Sequence, residues 1–227
     1  MSEMWAELAP QLPAAFWMTI KLALYSGIGS LILGIILTGM RVSPVAAMRR
    51  ISSVFTEIMR NTPLTLVILF CSLGLYMNMD VALARDNEMF SINNNFRLAV
   101  LGFVLYTSAF VSESLRSGIN TVPFGQAEAA RSLGLTFSQV FSKIIFPQAF
   151  RGALIPLGNT FIALTKNTTV ASVIGVAEAS LLMKTMQENY ADQLIPIFFI
   201  FAMGFVILTL PIGLLFGWAN NRLAVKR

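Results

Sequence analysis

A chain of 227 residues that is 56% hydrophobic and 12% charged, with a mean hydropathy of +0.72, is too apolar for a soluble domain and reads as a polytopic membrane protein. Its net charge of +5 comes from basic residues scattered between apolar runs, so no continuous basic face for nucleic acid forms and membrane topology explains the charge better. With no histidine, one cysteine (Cys71, inside an apolar run) and no Gly-rich stretch followed by Lys-Ser/Thr, the chain has no disulfide framework, cysteine metal cluster or nucleotide-phosphate cradle, and it is expected to be no enzyme and to bind no metal.

The first fifteen residues carry Glu3 and Glu7 and no basic residue, the wrong charge for a secretory leader, so residues 16–40 are predicted to be a retained first span with Lys21 snorkelling near its outer end. Gly27, Gly29 and Gly34 lack the third glycine and preceding strand of a dinucleotide loop; they are read as close helix packing in lipid. Arg41, Arg49 and Arg50 mark the cytoplasmic side. A second span covers 51–79, with Glu57, Arg60, Asn61 and Thr62 in interfacial first turns and Pro63 kinking the helix. Asn61 and Thr62 read either as part of an interfacial anchor or as facing a central path. Residues 78–95, with Asp80, Arg85, Asp86, Glu88 and a run of asparagines, are expected to form an external loop.

A third span covers 96–117 and ends near Glu113 and Arg116, whose i, i+3 spacing suits a local or interhelical salt bridge. A hairpin then occupies 119–147. Gln126 to Leu133 are good helix formers after Pro123, and Gly134 can take the left-handed conformation that ends a helix. Thr136 and Gln139 stand at capping-box spacing to start a second helix. Phe137, Val140, Phe141, Ile144 and Ile145 give that helix one apolar face, and Pro147 is expected to break it.

The fourth span, 152–177, is interrupted by Lys166, Asn167, Thr168 and Thr169, roughly 20 Å from its inner end at about 1.5 Å per residue. A mid-bilayer lysine costs roughly 2.5–3.5 kcal/mol, so Lys166 should face a cavity or bundle interior with a partner. One reading has these four residues, with Glu113, Asn61 and Thr62, lining a substrate path; the other has Lys166 locking helices by an ion pair with Glu113 or another subunit. After an external amphipathic segment (Glu178, Lys184, Glu188, Asp192) the fifth span runs over 194–218 to Arg222, Lys226 and Arg227. Arg41, Arg49, Arg50, Arg116, Arg131, Lys143, Arg151 and that tail outnumber Arg85, Arg97 and Lys184, which places the N-terminus outside and the C-terminus in the cytoplasm.

Glu128-Ala129-Ala130, then Gly134, Ile144, Phe146 and Pro147, resembles the Glu-Ala-Ala signature of ABC importer permeases, with Phe146 where that signature carries leucine. The likeness extends through 60–64, 106–113, 116–119, 147–151 and 164–169, so nearly the whole chain resembles the polar amino acid branch of these permeases, and within it the glutamate permease subunits. The resemblance implies an all-α polytopic membrane protein of five transmembrane helices, the MetI-like type I ABC permease fold, as a single permease domain over 1–227 in a prokaryotic cell membrane. It makes the hairpin a coupling helix seated in a groove of a cytoplasmic ATPase, with Glu128 bonding across the interface, Ala129, Ala130 and Gly134 permitting close approach, and Arg131 and Pro147 completing the set. It further implies two ATP-binding subunits that carry the ATP and magnesium, a second permease chain, identical or similar, and an extracytoplasmic substrate-binding protein; this chain itself would bind no cofactor. Many family members read Lys-Asp-Thr-Ser where this chain has Lys166-Asn167-Thr168-Thr169, and the lost negative charge points to glutamate or another acidic or neutral amino acid. A secondary transporter or channel, and a non-transporting membrane scaffold, are the rival readings.

Overall fold

The computed structural model describes residues 2–84 and 89–223, so the predicted loop positions Arg85, Asp86 and Glu88 and the tail residues Lys226 and Arg227 lie outside the described residues. The elements are α1 (Ser2–Arg41), α2 (Ala46–Asn61), α3 (Leu64–Asn78), α4 (Phe90–Ile119), α5 (Phe124–Ser132), α6 (residues 137–152), α7 (Leu154–Ile174), α8 (Ala179–Asn189) and α9 (Leu194–Leu223), with no strand among the described residues. α1, α4 and the last helix are each long and apolar enough to cross a bilayer, and counting the bent pairs α2–α3 and α7–α8 as one span each gives the five of the sequence reading.

Several boundaries move for physical reasons. α1 starts at Ser2, despite Pro10 and Pro13, because its first turns bury Met4 and Leu8 against Ala179, Met186, Ile197 and Phe201. Tertiary burial outweighs the missing donors there. At Pro63 the expected kink is a full break in which the chain turns by 107°. Asn61 Nδ2 and Thr62 Oγ1 each donate to a carbonyl four residues back, those of Glu57 and Ile58 (both 2.8 Å), which satisfies acceptors the broken helix abandons. α4 begins at Phe90, so the last part of the predicted loop is helical. Its asparagines are spent on structure: Asn94 Oδ1 accepts from the Leu83 and Ala84 amides, and Asn95 Nδ2 donates to the Ile174 carbonyl.

The chain forms two compact units. The first combines 1–27, 63–104 and 163–211 and holds the Met4–Leu8–Phe201 cluster. Here Thr19 Oγ1 accepts the Ala179 amide at 3.1 Å, and the buried Glu178 carboxylate caps α8 by accepting from Ser180 and Leu181. The second combines 28–62, 105–162 and 212–227 around Val111, Leu115, Ala153 and Leu157. Small residues let its helices meet closely: Thr38 Oγ1 lies 3.3 Å from Ser112 Oγ, Ser52 Oγ donates to the Leu37 carbonyl at 2.7 Å, and Gly34 lies against Val111.

A side chain at Gly118 would collide with the Ala149 carbonyl, whereas among the described residues nothing lies within 4 Å of a Cβ placed at Gly217. Gly118→Leu is therefore expected to destabilise the detergent-solubilised protein by at least about 1–3 kcal/mol, read as a lowered melting temperature. Gly217→Ala leaves that temperature unchanged or higher.

Candidate functional site

The hairpin is built from short-range signals. α5 ends in a pair of bonds that together close its last turn: the Gly134 amide donates to the Arg131 carbonyl (2.9 Å) and the Leu135 amide to that of Ala130 (3.2 Å). This closure needs a left-handed residue, and Gly134 has φ of 82°. Two residues later Thr136 Oγ1 accepts the Gln139 amide, while Gln139 Oε1 accepts the Thr136 amide at 2.9 Å, the reciprocal cap expected from their spacing.

The second helix does not break at Pro147. It runs from Phe137 through a π turn at Phe141–Ile145 and resumes as Phe146–Gly152. Wider i→i+5 bonding in that turn removes the acceptor a proline would leave unmet, so the ring fits at the start of the resumed helix. Val140 is fully buried, and rings of Phe137, Phe141, Phe146 and Phe150 follow one another at 5.8–6.2 Å between centroids. Gln148 Nε2 donates to Gln126 Oε1 at 2.5 Å and ties the two arms together.

The arms present one surface outward. Glu128, Ala129, Arg131, Ser132 and Gly134 are exposed, and Leu133 is 80% exposed, an uncovered apolar tip. Ala130 faces the other way and is 5% exposed, so it packs within its own chain and is not available to the close approach read from the sequence. Leu133 was not singled out by sequence reasoning. Its signal is an apolar residue placed between the helix end and the capping glycine.

The substrate-path candidates divide between the two units. In the second unit, Glu113 is ion-paired to Arg41, with the Arg60 guanidinium 3.6 Å from the same carboxylate oxygen. The helix neighbour Arg116 is not its partner among the described residues; Arg41 and Arg60 take this carboxylate. In the first unit, α7 changes from α to 3₁₀ geometry at Thr168, the polar interruption seen in the sequence. Thr168, Thr169 and Ser172 hydroxyls donate to carbonyls three residues back (2.7–2.9 Å), matching the tighter helix. That leaves the exposed Lys166 ammonium and the half-buried Asn167 amide as the groups of this run open to a ligand. Lys184, predicted as merely amphipathic surface, instead donates to Ser172 Oγ at 2.8 Å.

The described residues thus form a helical membrane protein of several candidate spans with a two-helix hairpin between them. Residues 30–225 match the family model described as the binding-protein-dependent transport system inner membrane component, and the chain belongs to that family. A glutamate transport system permease protein, GluC of Corynebacterium efficiens, is 67% identical over 228 residues, covering all of both chains. Among solved structures, an amino acid ABC transporter with histidines shares 28% identity at a TM-score of 0.80, covering 96% of each chain. The methionine ABC transporter MetNI, in an inward-facing conformation, has the same fold at a TM-score of 0.78 and 18% identity, covering 99% of this chain and all of that one.

The Arg41–Glu113 pair is testable by itself, since its side chains are 14% and 25% exposed. Glu113→Gln and Arg41→Gln are each expected to lower unfolding stability by about 1–3 kcal/mol, less than a fully buried pair would lose. The double variant falls short of the sum by about 0.5 kcal/mol or more in a double-mutant cycle followed by thermal melting.

Proposed function

We propose that this chain is the permease half of an ATP-driven importer of glutamate. The observation that carries the substrate is the 67% identity to a glutamate permease along the full length of both chains. The hairpin carries the mechanism: its exposed Glu128, Ala129, Arg131, Leu133 and Gly134 form the face that seats in the groove of a cytoplasmic ATPase. Leu133 supplies apolar burial there, and Glu128 and Arg131 supply charge-assisted bonds. Two such ATPases, which hold the ATP and magnesium, a second permease chain and an external binding protein complete the assembly. The N-terminus lies outside and the C-terminus in the cytoplasm, and the whole chain acts as one permease domain.

Because α5 and α6 are capped at both sides of Gly134, closure of the ATPases moves the hairpin as a body rather than bending it, and helices continuous with it switch the cavity between inward and outward access. On the path, Lys166 offers an ammonium to a carboxylate, and Asn167 offers an amide in place of the repelling aspartate that many relatives carry. Glu113, held by Arg41 and Arg60, serves the framework. Asn61 and Thr62, bonded back onto α2, cap the break at Pro63.

Vesicles containing the reconstituted importer and its binding protein provide the test. Glutamate is expected to raise ATP hydrolysis and arginine is not, and Leu133→Asp abolishes the glutamate response while the permease remains in the membrane. Uptake that survives ATP depletion but collapses with the ion gradient would make the chain a secondary transporter instead.

A further inference from the structure

On the surface of the first unit, α1 and α4 enclose an open pocket of about 490 Å³ lined by Met18, Lys21, Tyr25, Asn93, Phe96 and Arg97 among others. Two cations face it, and no acidic side chain lines it among the described residues. Lys21 Nζ lies 5.9 Å from the centre of the Phe96 ring, and the Tyr25 ring meets the same phenylalanine edge-on at 5.9 Å, so the floor of the pocket is pre-organised. Arg97 spends one donor on the Leu83 carbonyl (2.5 Å) and keeps the rest of its guanidinium fork. Neither cation has a carboxylate partner among the described residues.

The position of the pocket along the helices identifies its surroundings. Lys21 stands twenty positions from Arg41 on α1, and Arg97 nineteen from Arg116 on α4. At about 1.5 Å per residue both intervals are roughly 30 Å, the thickness of the hydrocarbon core, so both cations sit at one headgroup plane. Trp17, one turn before Lys21 and 57% exposed, belongs at that boundary, and the exposed Leu24 lies one turn deeper. Paired cations over an apolar, aromatic floor at headgroup depth complement a phosphate carrying acyl chains.

We propose that the Lys21–Arg97 pocket binds the headgroup of an anionic phospholipid. The site depends on the chain spanning a membrane and not on the identity of the transported amino acid. Native mass spectrometry of the assembled transporter in detergent, titrated with phosphatidylglycerol or phosphatidylcholine, tests it. A phosphatidylglycerol adduct is expected that the Lys21→Gln, Arg97→Gln double variant binds on the order of thirtyfold more weakly and each single variant on the order of fivefold. Lys143→Gln, on the hairpin, leaves it unchanged. Equal affinity for phosphatidylcholine, or undiminished phosphatidylglycerol binding by the single variants, overturns the proposal. So does loss of binding-protein association in those variants with lipid binding intact, which would make the pocket a protein contact.

Discussion

Wherever a helix of this protein stops, bends or changes pitch, the backbone groups it abandons need partners that lipid cannot supply. That constraint accounts for a recurring set of its polar residues. Asn61 and Thr62 bond back across the break before Pro63, Thr168, Thr169 and Ser172 close the 3₁₀ turns of α7, and Asn95 takes the Ile174 carbonyl beside the left-handed Gly175. Glu178 then receives the first amides of α8. The polar side chains named here are first of all repairs to the main chain.

Sorting repairs from function changes how the site is read. Of the seven residues in the substrate-path set, the threonines at 62, 168 and 169 and Asn61 are committed to carbonyls, and Glu113 is committed to Arg41. Lys166 and Asn167 remain. The hairpin sorts in the same way: Ala130 is turned inward while Leu133 is turned out, so burial divides the Glu-Ala-Ala run itself.

What was legible in the sequence was short in range. Gly134, the Thr136–Gln139 cap and the interruption after Lys166 follow from residues within four or five positions of one another, and the span count follows from apolar runs of about twenty residues. Features fixed by distant contacts were not legible. The helical start of α1 depends on burial against α8 and α9, the helical asparagines before Phe96 depend on Leu83 and Ile174, and the true partner of Glu113 is seventy-two positions away. Pro147 misled for another reason, since a proline predicts a break only in α register and the preceding turn is π.

Transmission of force through a stiff hairpin is the claim on which the functional account turns, and site-directed cross-linking reads it directly. In a Cys71→Ser background, Leu133→Cys and Ala130→Cys differ by one face of the same helix end. With the assembled importer, a short bifunctional thiol reagent is expected to join position 133, but not position 130, to a cysteine introduced in the ATPase groove, with a yield that persists through the ATP cycle. Labelling of position 133 from outside sealed cells, or equal cross-linking at the two positions, would contradict it.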